Sequence, residues 1–354
     1  MKIFHICFAP AKPDGIKGVL KKLLPAQRNA GHDAHVLSLT DAEPDFEYSR
    51  SVGYFHKRIR TDRPDIVIFH SIYFNQYLFY ALLLWFYRIP YAIQLHGALS
   101  KENYEVSKTK KQIANFLIYN RFIKGAKSIV YLNQNEYNNS IVKNINPRCI
   151  IVPNGCDVVS DVNTEHKASE SSINYIYIGR IARHHKGMDM LVEALKSVSK
   201  GSLKDKVRFH IYGDGRDIEC EWLKEQLTEI SNIAEFHGPV YDMKKEVAMR
   251  SSDIFILTSR FEGMPMAVLE ALSYGIPCLI TMGTNMGEDI SAAGAGWITA
   301  ADPEAIVKTI EVATESYKAD FQKFRRRAYE LSQKFSWEKI AHESVENYKQ
   351  LLTL

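Results

Sequence analysis

Residues 258–281 read TSRFEGMPMAVLEALSYGIPCLIT and set the pattern of the chain. The preceding residues 253–257, DIFIL, have the length and apolar character of a buried parallel strand. Pro265 suits the first turn of a helix that runs to about Tyr274, and Gly275-Ile276-Pro277 ends it before a strand over residues 278–280. The segment therefore predicts a strand, a tight loop, a helix and a second strand.

Two carboxylates lie in this segment, Glu262 in the predicted loop and Glu270 on the predicted helix. The loop and the helix N-terminus present unpaired backbone N–H groups, and the positive end of the helix dipole, at the carboxyl edge of a sheet. Carboxylate oxygens accept hydrogen bonds from hydroxyl groups, which suits a neutral polyol better than an anion. N–H donors for phosphate beside carboxylates for hydroxyls predict a sugar-nucleotide site.

Strands and helices alternate in both halves of the chain, on either side of a polar segment. Residues 161–172, DVNTEHKASESS, have the composition of an interdomain linker. We therefore predict an α/β protein with two Rossmann-like βα domains, residues 1–160 and 173–335, that face each other across a cleft. Residues 336–354 are predicted to form a C-terminal helix with Ser336 as its N-cap.

Residues 74–87, FNQYLFYALLLWFY, form the most apolar segment of the chain. The segment is too short for an ordinary membrane span of about 20 residues, and it contains Asn75 and Gln76. A buried crossover helix is the favoured interpretation. A helix at a membrane surface, with its aromatic residues and Arg88 at the interface, is the alternative.

The first half of the chain is basic, although the whole chain has a net charge of only +4. Residues 1–165 hold 21 Lys and Arg against 14 Asp and Glu, a net charge of +7, and residues 166–354 hold 24 against 27, a net charge of −3. This asymmetry favours peripheral contact between the N-terminal domain and a membrane, or a phosphorylated acceptor, although ordinary surface charge explains it equally well. Nucleic acid is not predicted as a partner, because no dense basic helix with interleaved aromatic residues is present.

The five cysteines are scattered, odd in number and without metal-ligand spacing. This pattern fits a reduced, cytoplasmic chain, which would act at the inner face of the membrane if it meets lipid.

Further candidate site residues follow other predicted strands. Arg180 ends the first strand of the second domain and Lys186 precedes the next helix, where the two cations suit a diphosphate. Gly213 follows another strand and permits close approach of a ligand to the backbone. In the first domain, His96 ends a strand, where a structural and a catalytic role are equally favoured, and Gly15 lies in the loop after the first strand.

Two motifs are absent from the sequence. No GxGxxG follows any predicted strand, which argues against a dinucleotide-binding site. No Asp-x-Asp pair is present to hold a divalent cation on a diphosphate. We therefore predict neither metal nor cofactor, so that Arg180, Lys186 and backbone dipoles meet the charge of a leaving group.

Taken in order, these motifs resemble those of a known family. Arg180…Lys186-Gly187, Gly213-Asp214-Gly215 and the segment EGMPMAVLE from Glu262 to Glu270 occur with fitting spacing. The tetrapeptide VPNG, which contains Asn154, precedes them, and Phe335-Ser-Trp337 follows them. The chain looks like a family 4 retaining glycosyltransferase of GT-B architecture. The resemblance is specific over about residues 125–345 and looser before; the first loop departs from the family pattern, with Gly15 where many relatives have adjacent glycines.

The resemblance implies a role for each residue in a site for a nucleotide-sugar donor. Glu270 would accept hydrogen bonds from the ribose of the donor and Glu262 from the transferred sugar, while Arg180 and Lys186 would neutralise the diphosphate. His96 would face the donor sugar. The other residues implied in donor binding are Gly263, Met264, Met266, Gly15, Gly213 and Asn154. In this family the final helix crosses back to the first domain, which residues 336–354 would then also do.

The resulting hypothesis is a retaining hexosyltransferase that moves a sugar from a nucleoside-diphosphate donor to a hydroxyl of a glycan or lipid-linked acceptor. Polysaccharide, lipopolysaccharide or glycoconjugate biosynthesis would be its setting. Two alternatives remain: a nucleotide-sugar 2-epimerase of the same architecture, and a non-catalytic subunit that binds a sugar nucleotide. An epimerase should carry an additional acid/base set, which the sequence does not reveal, and the intact charged signature argues against a non-catalytic subunit.

Overall fold

The structure is a computed structural model that describes residues 1–8, 15–40, 43–72, 74–97, 119–160 and 172–353. The chain divides into two compact units, one formed by Met1–Gly155 with Ser336–Leu354 and the other by Cys156–Phe335. Each unit is built on one sheet whose named strands all pair in parallel. The predicted fold class, α/β with two Rossmann-like domains, is confirmed.

The first unit ends at Gly155, five residues before the predicted boundary at residue 160. The backbone N–H of Cys156 donates to the carbonyl of Phe335 at 2.7 Å, and its thiol lies 3.7 Å from the carbonyl of Ser332. Residue 156 is therefore attached to the end of the second unit by contacts that composition does not reveal. Of the predicted linker, residues 161–171 lie outside the described residues.

The sheet of the first unit has seven strands in the order β3-β2-β1-β4-β5-β6-β7. The strands are β1 Lys2–Cys7, β2 Asp33–Ser38, β3 Phe46–Tyr48, β4 Ile66–His70, β5 Tyr91–Gln94, β6 Ser128–Tyr131 and β7 Cys149–Ile151. The strand order changes direction between β1 and β4, and the carboxyl ends of such neighbouring strands are where open α/β sheets bind ligands.

Five helices accompany this sheet in the described residues that precede the second unit. They are α1 Gly15–Asn29, α2 Val52–Asp62, α3 Asn75–Phe86, α4 Asn120–Gly125 and α5 Gln134–Asn139, with a short 3₁₀ turn at Val142–Asn144. Helix α2 begins at a serine N-cap, because the Ser51 hydroxyl accepts from the N–H of Tyr54 at 3.2 Å.

Helix α3 is buried on one face and exposed on the other. One face carries Tyr77, Tyr80 and Leu84 into the core, where all three are fully buried. Large apolar side chains remain exposed on the rest of the helix, so it is only partly a buried crossover helix. Among the described residues, no helix is long and apolar enough to cross a membrane.

The sheet of the second unit has six strands in the order β10-β9-β8-β11-β12-β13. The strands are β8 Ile173–Ile178, β9 Val207–Tyr212, β10 Ala234–Gly238, β11 Ile254–Leu257, β12 Cys278–Thr281 and β13 Gly296–Thr299. Here the order changes direction between β8 and β11, the strands that precede the two candidate site segments.

The helices of the second unit are α6 Met188–Lys200, α7 Asp217–Thr228, α8 Asp242–Arg250, α9 Met266–Ser273, α10 Gly287–Ala293, α11 Pro303–Ala319 and α12 Phe321–Ser332. Short 3₁₀ turns lie at Met282–Thr284, after β12, and at Gln333–Phe335, after α12. Helix α9 starts one residue after Pro265, which occupies the N-cap position.

The last helix, α13 Trp337–Thr353, belongs to the first unit. The Ser336 hydroxyl accepts from the N–H of Lys339 at 3.4 Å, as its predicted N-cap role requires. The helix packs on α1, where the Gln27 amide donates to the Ser344 hydroxyl at 3.1 Å. Trp337 fills the space beside Gly155, because a Cβ at Gly155 would lie 2.5 Å from the indole ring.

Candidate functional site

The loops after β8 and β11 are held against each other by a glycine contact. Gly187 has φ of +65°, and a Cβ there would lie 2.0 Å from the carbonyl oxygen of Thr258. The Thr258 hydroxyl donates to the carbonyl of Gly187 at 3.1 Å. Because only glycine permits this approach without strain, Lys186 is placed at the carboxyl end of β11.

An ion pair joins the two segments that the sequence singled out. The Lys186 ammonium lies 2.5 Å from Oε1 of Glu262, and the Ser259 hydroxyl donates to the same oxygen at 2.7 Å. The backbone of Glu262 is fixed from both sides, since its N–H donates to Gly283 at 2.8 Å and its carbonyl accepts from Asn285 at 2.7 Å. Both side-chain contacts use Oε1, and among the described residues none reaches Oε2. That oxygen can accept from a hydroxyl of a ligand.

Glu270 lies on α9 and is paired in the same way. Its Oε2 lies 2.5 Å from the ammonium of Lys245 on α8. Lys245 was not identified from the sequence, because it is 25 residues away and follows no motif. Each of the two glutamates therefore has one oxygen held by a lysine.

Arg180 is exposed at the end of β8, and its guanidinium donates to Nδ1 of His185 at 2.8 Å. Burial lowers the pKa of His185, which keeps its imidazole neutral and able to accept. The ring of His185 lies 4.4 Å from that of Phe261, in the loop after β11. This contact connects Arg180 to the same loop that carries Glu262.

A second ion pair fixes the same two loops and was not predicted. The Arg260 guanidinium forms two parallel bonds to the carboxylate of Asp189, at 2.7 and 2.9 Å, and donates to the carbonyl of His184 at 2.8 Å. Bidentate pairs of this kind are geometrically specific. Arg260 therefore holds the loop that carries Lys186 in position.

The backbone positions predicted for donor binding lie at the same edge of the sheet. Gly263 and Met264 precede α9, and Met266 is its first residue, where the N–H groups of a helix have no intrahelical acceptor. Gly213 follows β9, and a Cβ there would lie 1.9 Å from the carbonyl oxygen of Gly179. The loops after three adjacent strands thus pack closely at this edge.

In the first unit, His96 follows β5 in a left-handed conformation, with φ of +51°. The turn is held by Glu136 of α5, whose two carboxylate oxygens accept from the N–H groups of Gly97 and Leu132, each at 2.6 Å. Burial raises the pKa of Glu136, while these two bonds act in the opposite direction. Glu136 positions His96 and has no sequence signal, since it is 40 residues away.

His96 ends a chain of hydrogen bonds that runs through the core of the first unit, here called the histidine chain. Nε2 of His96 lies 2.8 Å from Nδ1 of His70, and Nε2 of His70 lies 2.9 Å from Nδ1 of His5. Nε2 of His5 lies 3.0 Å from Oε1 of Gln27, whose amide donates to Ser344. His5 and His70 are fully buried and His96 is half-buried.

Burial keeps all three imidazoles neutral. Desolvation lowers the pKa of His5 to about 4 and that of His96 to about 3, and it lowers the pKa of His70 well below its ordinary value. Each ring therefore has a single N–H.

The position of that N–H follows from the end of the histidine chain at α13. The Ser344 hydroxyl donates to the carbonyl of Ala341 at 2.8 Å, so its oxygen accepts from the Gln27 amide. Oε1 of Gln27 is then left to accept from Nε2–H of His5. The same reasoning assigns Nε2–H to His70 and His96. Nδ1 of His96 is left as a hydrogen-bond acceptor.

Two predicted donor residues have less structural support. Gly15 is the exposed first residue of α1, and a Cβ there would meet no atom within 4 Å. The rest of the loop before it, residues 9–14, lies outside the described residues. Asn154 is buried in the first unit next to Gly155.

One group of described side chains could hold a metal ion, and it lies outside these loops. His210 on β9 and Glu235 and His237 on β10 place their ligand atoms within 4.8 Å of one another. Nδ1 of His210 lies 3.1 Å from Nε2 of His237. These positions are on neighbouring strands rather than at the edge that carries Lys186 and Glu262.

Comparison with known protein families yields two matches that follow one another along the chain. The model described as Glycosyltransferase Family 4 matches residues 13–159, and the model described as Glycosyl transferases group 1 matches residues 172–315. Together they account for most of the chain.

Individual relatives agree with this assignment. The lipopolysaccharide 1,6-galactosyltransferase of Escherichia coli is 33% identical over 107 residues, which span 30% of this chain and 29% of that protein. An uncharacterized glycosyltransferase of Methanocaldococcus jannaschii is 25% identical over 302 residues, 81% of this chain and 76% of that protein.

Among solved structures, Anabaena HepE in complex with UDP has a similar fold. Its TM-score is 0.76 at 19% identity, covering 99% of this chain and 100% of that chain.

Proposed function

Since the chain belongs to the family 4, group 1 glycosyltransferases, we propose that it transfers a hexose from a nucleoside-diphosphate donor to a hydroxyl of a membrane-anchored or lipid-linked glycan, with retention of configuration. The observation that carries this proposal is the Lys186–Glu262 ion pair at the carboxyl edge of β8 and β11. This pair supports the proposal because a lysine, which favours a diphosphate, lies beside a carboxylate, which favours sugar hydroxyls. The names of a lipopolysaccharide galactosyltransferase and of a structure solved with UDP support the classes of acceptor and donor.

Cationic groups bind one part of the donor and carboxylates bind the other parts. Arg180, Lys186 and the N-terminus of α9 bind the diphosphate, because Arg, Lys and helix dipoles all favour anions. Glu262 accepts from hydroxyls of the transferred sugar and Glu270 from the ribose. The remaining donor residues carried over from the family resemblance are His96, Gly263, Met264, Met266, Gly213, Asn154 and Gly15.

The reaction breaks the bond between C1 of the sugar and the diphosphate oxygen, and the bonding electrons remain on that oxygen. The acceptor hydroxyl forms the new bond to C1 from the same face, which retains the configuration, and its proton passes to the departing phosphate. Negative charge on the diphosphate grows in the transition state, so Lys186 and Arg180 bind that state more tightly than the ground state. No metal or cofactor is required in this scheme.

A membrane-anchored acceptor implies that the protein acts as a peripheral protein at the inner face of the membrane. The basic first half of the chain and the exposed apolar side chains of α3 support this location.

A panel of nucleotide sugars tests the proposal against its alternatives. Transfer predicts slow release of free nucleotide from one donor, and faster release with a membrane-derived glycolipid as acceptor. An isomerised donor would instead indicate a 2-epimerase, and binding without turnover would indicate a non-catalytic subunit. Glu270→Gln and Lys186→Met should abolish release, whereas Glu225→Gln, an exposed change on α7, should not. Activity in both site variants would refute the site assignment.

A further inference from the structure

The first unit carries an open groove of about 1140 Å³ that is separate from the candidate site. Its lining comes from α3, from α4, and from the residues at or just before the first residues of β5, β6 and β7. The groove therefore lies at the amino ends of these strands, whereas His96 lies past the carboxyl end of β5. With four residues in β5, the two ends are about 13 Å apart at 3.3 Å per residue.

One wall of the groove is apolar and faces solvent. Leu82, Trp85 and Phe86 line it and are 64%, 78% and 71% exposed, and Phe79 on the same helix is 56% exposed. Their spacing of three or four residues places them on one face of α3. Large apolar side chains exposed together in this way mark an interaction surface rather than ordinary surface composition.

The charged side chains that line the groove in the described part of the chain are all cationic. They are Arg88, Arg121, Lys127 and Arg148, and no carboxylate is among the described lining residues. Within the described part of the chain, none of these four side chains forms an ion pair with Asp or Glu. The groove thus combines an apolar wall with four positive charges that no carboxylate among the described residues pairs with.

We propose, on the basis of the proposed function, that this groove is the surface by which the protein binds an anionic phospholipid bilayer. Leu82, Trp85 and Phe86 enter the boundary between headgroups and acyl chains, where Trp and other amphipathic aromatic residues are favoured. The four cations contact lipid phosphates, since basic residues near an anionic leaflet are attracted to it.

Charge decides between the bilayer and the other candidates for this surface. A second copy of the chain bound across a two-fold axis would place the same patch against itself, and the four cations of each copy would repel those of the other. An acceptor hydroxyl would also have to reach the opposite end of the sheet, so the groove serves to dock the protein rather than to hold the reacting group.

Vesicle sedimentation tests this proposal with the full chain. Wild-type protein should pellet with vesicles of phosphatidylcholine and phosphatidylglycerol but not with phosphatidylcholine alone, and added salt should release it. Brominated lipids should quench tryptophan fluorescence in wild type and not in Trp85→Gln, because Trp85 is the exposed tryptophan of the groove.

Paired substitutions separate the two contributions. Trp85→Gln/Phe86→Gln and Arg88→Gln/Arg121→Gln should each weaken partitioning by about tenfold or more, since one basic residue at the surface alone contributes about fivefold. The matched controls change the same character elsewhere, in the second unit. They are Met243→Gln/Val247→Gln, two exposed apolar residues of α8, and Lys200→Gln/Lys224→Gln, which lower the net charge equally.

Several outcomes would overturn the proposal. Equal binding to both vesicle types would show that the cations do not contribute. Equal losses of vesicle binding in the control variants would show that the groove is not the specific binding surface. A wild-type dimer that becomes monomeric in Trp85→Gln/Phe86→Gln would assign the surface to a second copy instead. The release of nucleotide from donor without acceptor should be unchanged in all groove variants. If release is absent in wild type while vesicle binding persists, the proposed function fails and the membrane surface stands.

Discussion

The substitution Gln27→Glu tests the direction of the hydrogen bonds along the histidine chain. In the wild-type protein, Oε1 of Gln27 lies 3.0 Å from Nε2 of His5, and the pKa of His5 is lowered to about 4. A carboxylate in the same place favours the imidazolium, because an opposite charge this close raises the pKa of a histidine by about one to three pH units. The pKa of His5 in Gln27→Glu is therefore expected at about 5 to 7.

Protonation of His5 reverses the direction of the hydrogen bonds along the histidine chain. An imidazolium donates from both nitrogens, so Nδ1–H of His5 would donate to Nε2 of His70, which must then carry its own proton on Nδ1. His70 would donate in turn to Nε2 of His96, and the proton of His96 would move to Nδ1. The nitrogen that wild-type His96 leaves as an acceptor would become a donor.

Nitrogen-15 NMR of histidine-labelled protein reads these tautomers directly. Wild type should keep Nε2–H on His5, His70 and His96 from about pH 8 to about pH 5, because burial lowers the pKa of His5 to about 4 and that of His96 to about 3, and lowers the pKa of His70 well below its ordinary value. Gln27→Glu should show the reversal as the pH falls through the raised pKa of His5. If His96 faces the donor sugar, kcat of this variant should fall over the same interval and recover on return to higher pH.

The matched control is Gln226→Glu, which makes the same chemical change on α7 of the second unit, outside the histidine chain. It should leave the tautomer of His96 unchanged. A wild-type His96 protonated on Nδ1 would refute the assigned direction. A Gln27→Glu protein in which His5 titrates while His96 keeps Nε2–H would refute the coupling between the rings.

Four further outcomes are expected. Folding stability should fall as the pH falls from 6.5 to about 4, because His5 has a pKa of 6.5 in the unfolded chain and of about 4 in the folded chain. At about 1.4 kcal/mol per pH unit, the free energy of unfolding should fall by about 3 kcal/mol. Urea unfolding measures this loss, which should be smaller in His5→Gln. Gly187→Ala should lower the free energy of unfolding by more than about 2 kcal/mol, because it combines a left-handed φ with a clash against Thr258. Gly18→Ala, in open space within α1, should raise the same free energy by up to about 1 kcal/mol. Lys186→Ala should lower kcat by about 10² to 10³ with an unchanged circular dichroism spectrum, and full activity would refute its role. Chelation by EDTA should leave donor turnover unchanged, and restoration of lost turnover by a divalent cation would refute metal independence.

The sequence predicted the fold where strands are continuous apolar runs. Residues 253–257 and 278–280 are of this kind, and their strands appear as β11 and β12. It failed to predict β3, α5, β13 and α10, which have three, six, four and seven residues. Elements of this length give too few turns or alternations to establish a period, so tertiary packing decides their structure.

The site was predictable where topology alone brings residues together. The carboxyl ends of β8 and β11 had to be neighbours in a Rossmann-like sheet, so the proximity of Lys186 and Glu262 followed from their positions after these strands. The partners that hold Glu270 and the turn at His96 did not follow. Lys245 and Glu136 are on helices whose orientation depends on packing, and neither belongs to a motif.

The pairing of Lys186 with Glu262 bears on how a donor would be recognised. A lysine that bonds a carboxylate at 2.5 Å is already largely neutralised, so a diphosphate must compete with Glu262 for the same ammonium. As the phosphate draws Lys186 towards itself, Oε1 of Glu262 loses a donor and becomes able to accept from a sugar hydroxyl. Binding of the diphosphate would thereby strengthen recognition of the sugar attached to it, whereas a free sugar without the diphosphate would find only Oε2 of Glu262 open to accept. The ion pair would thus couple the two halves of the donor through a single lysine.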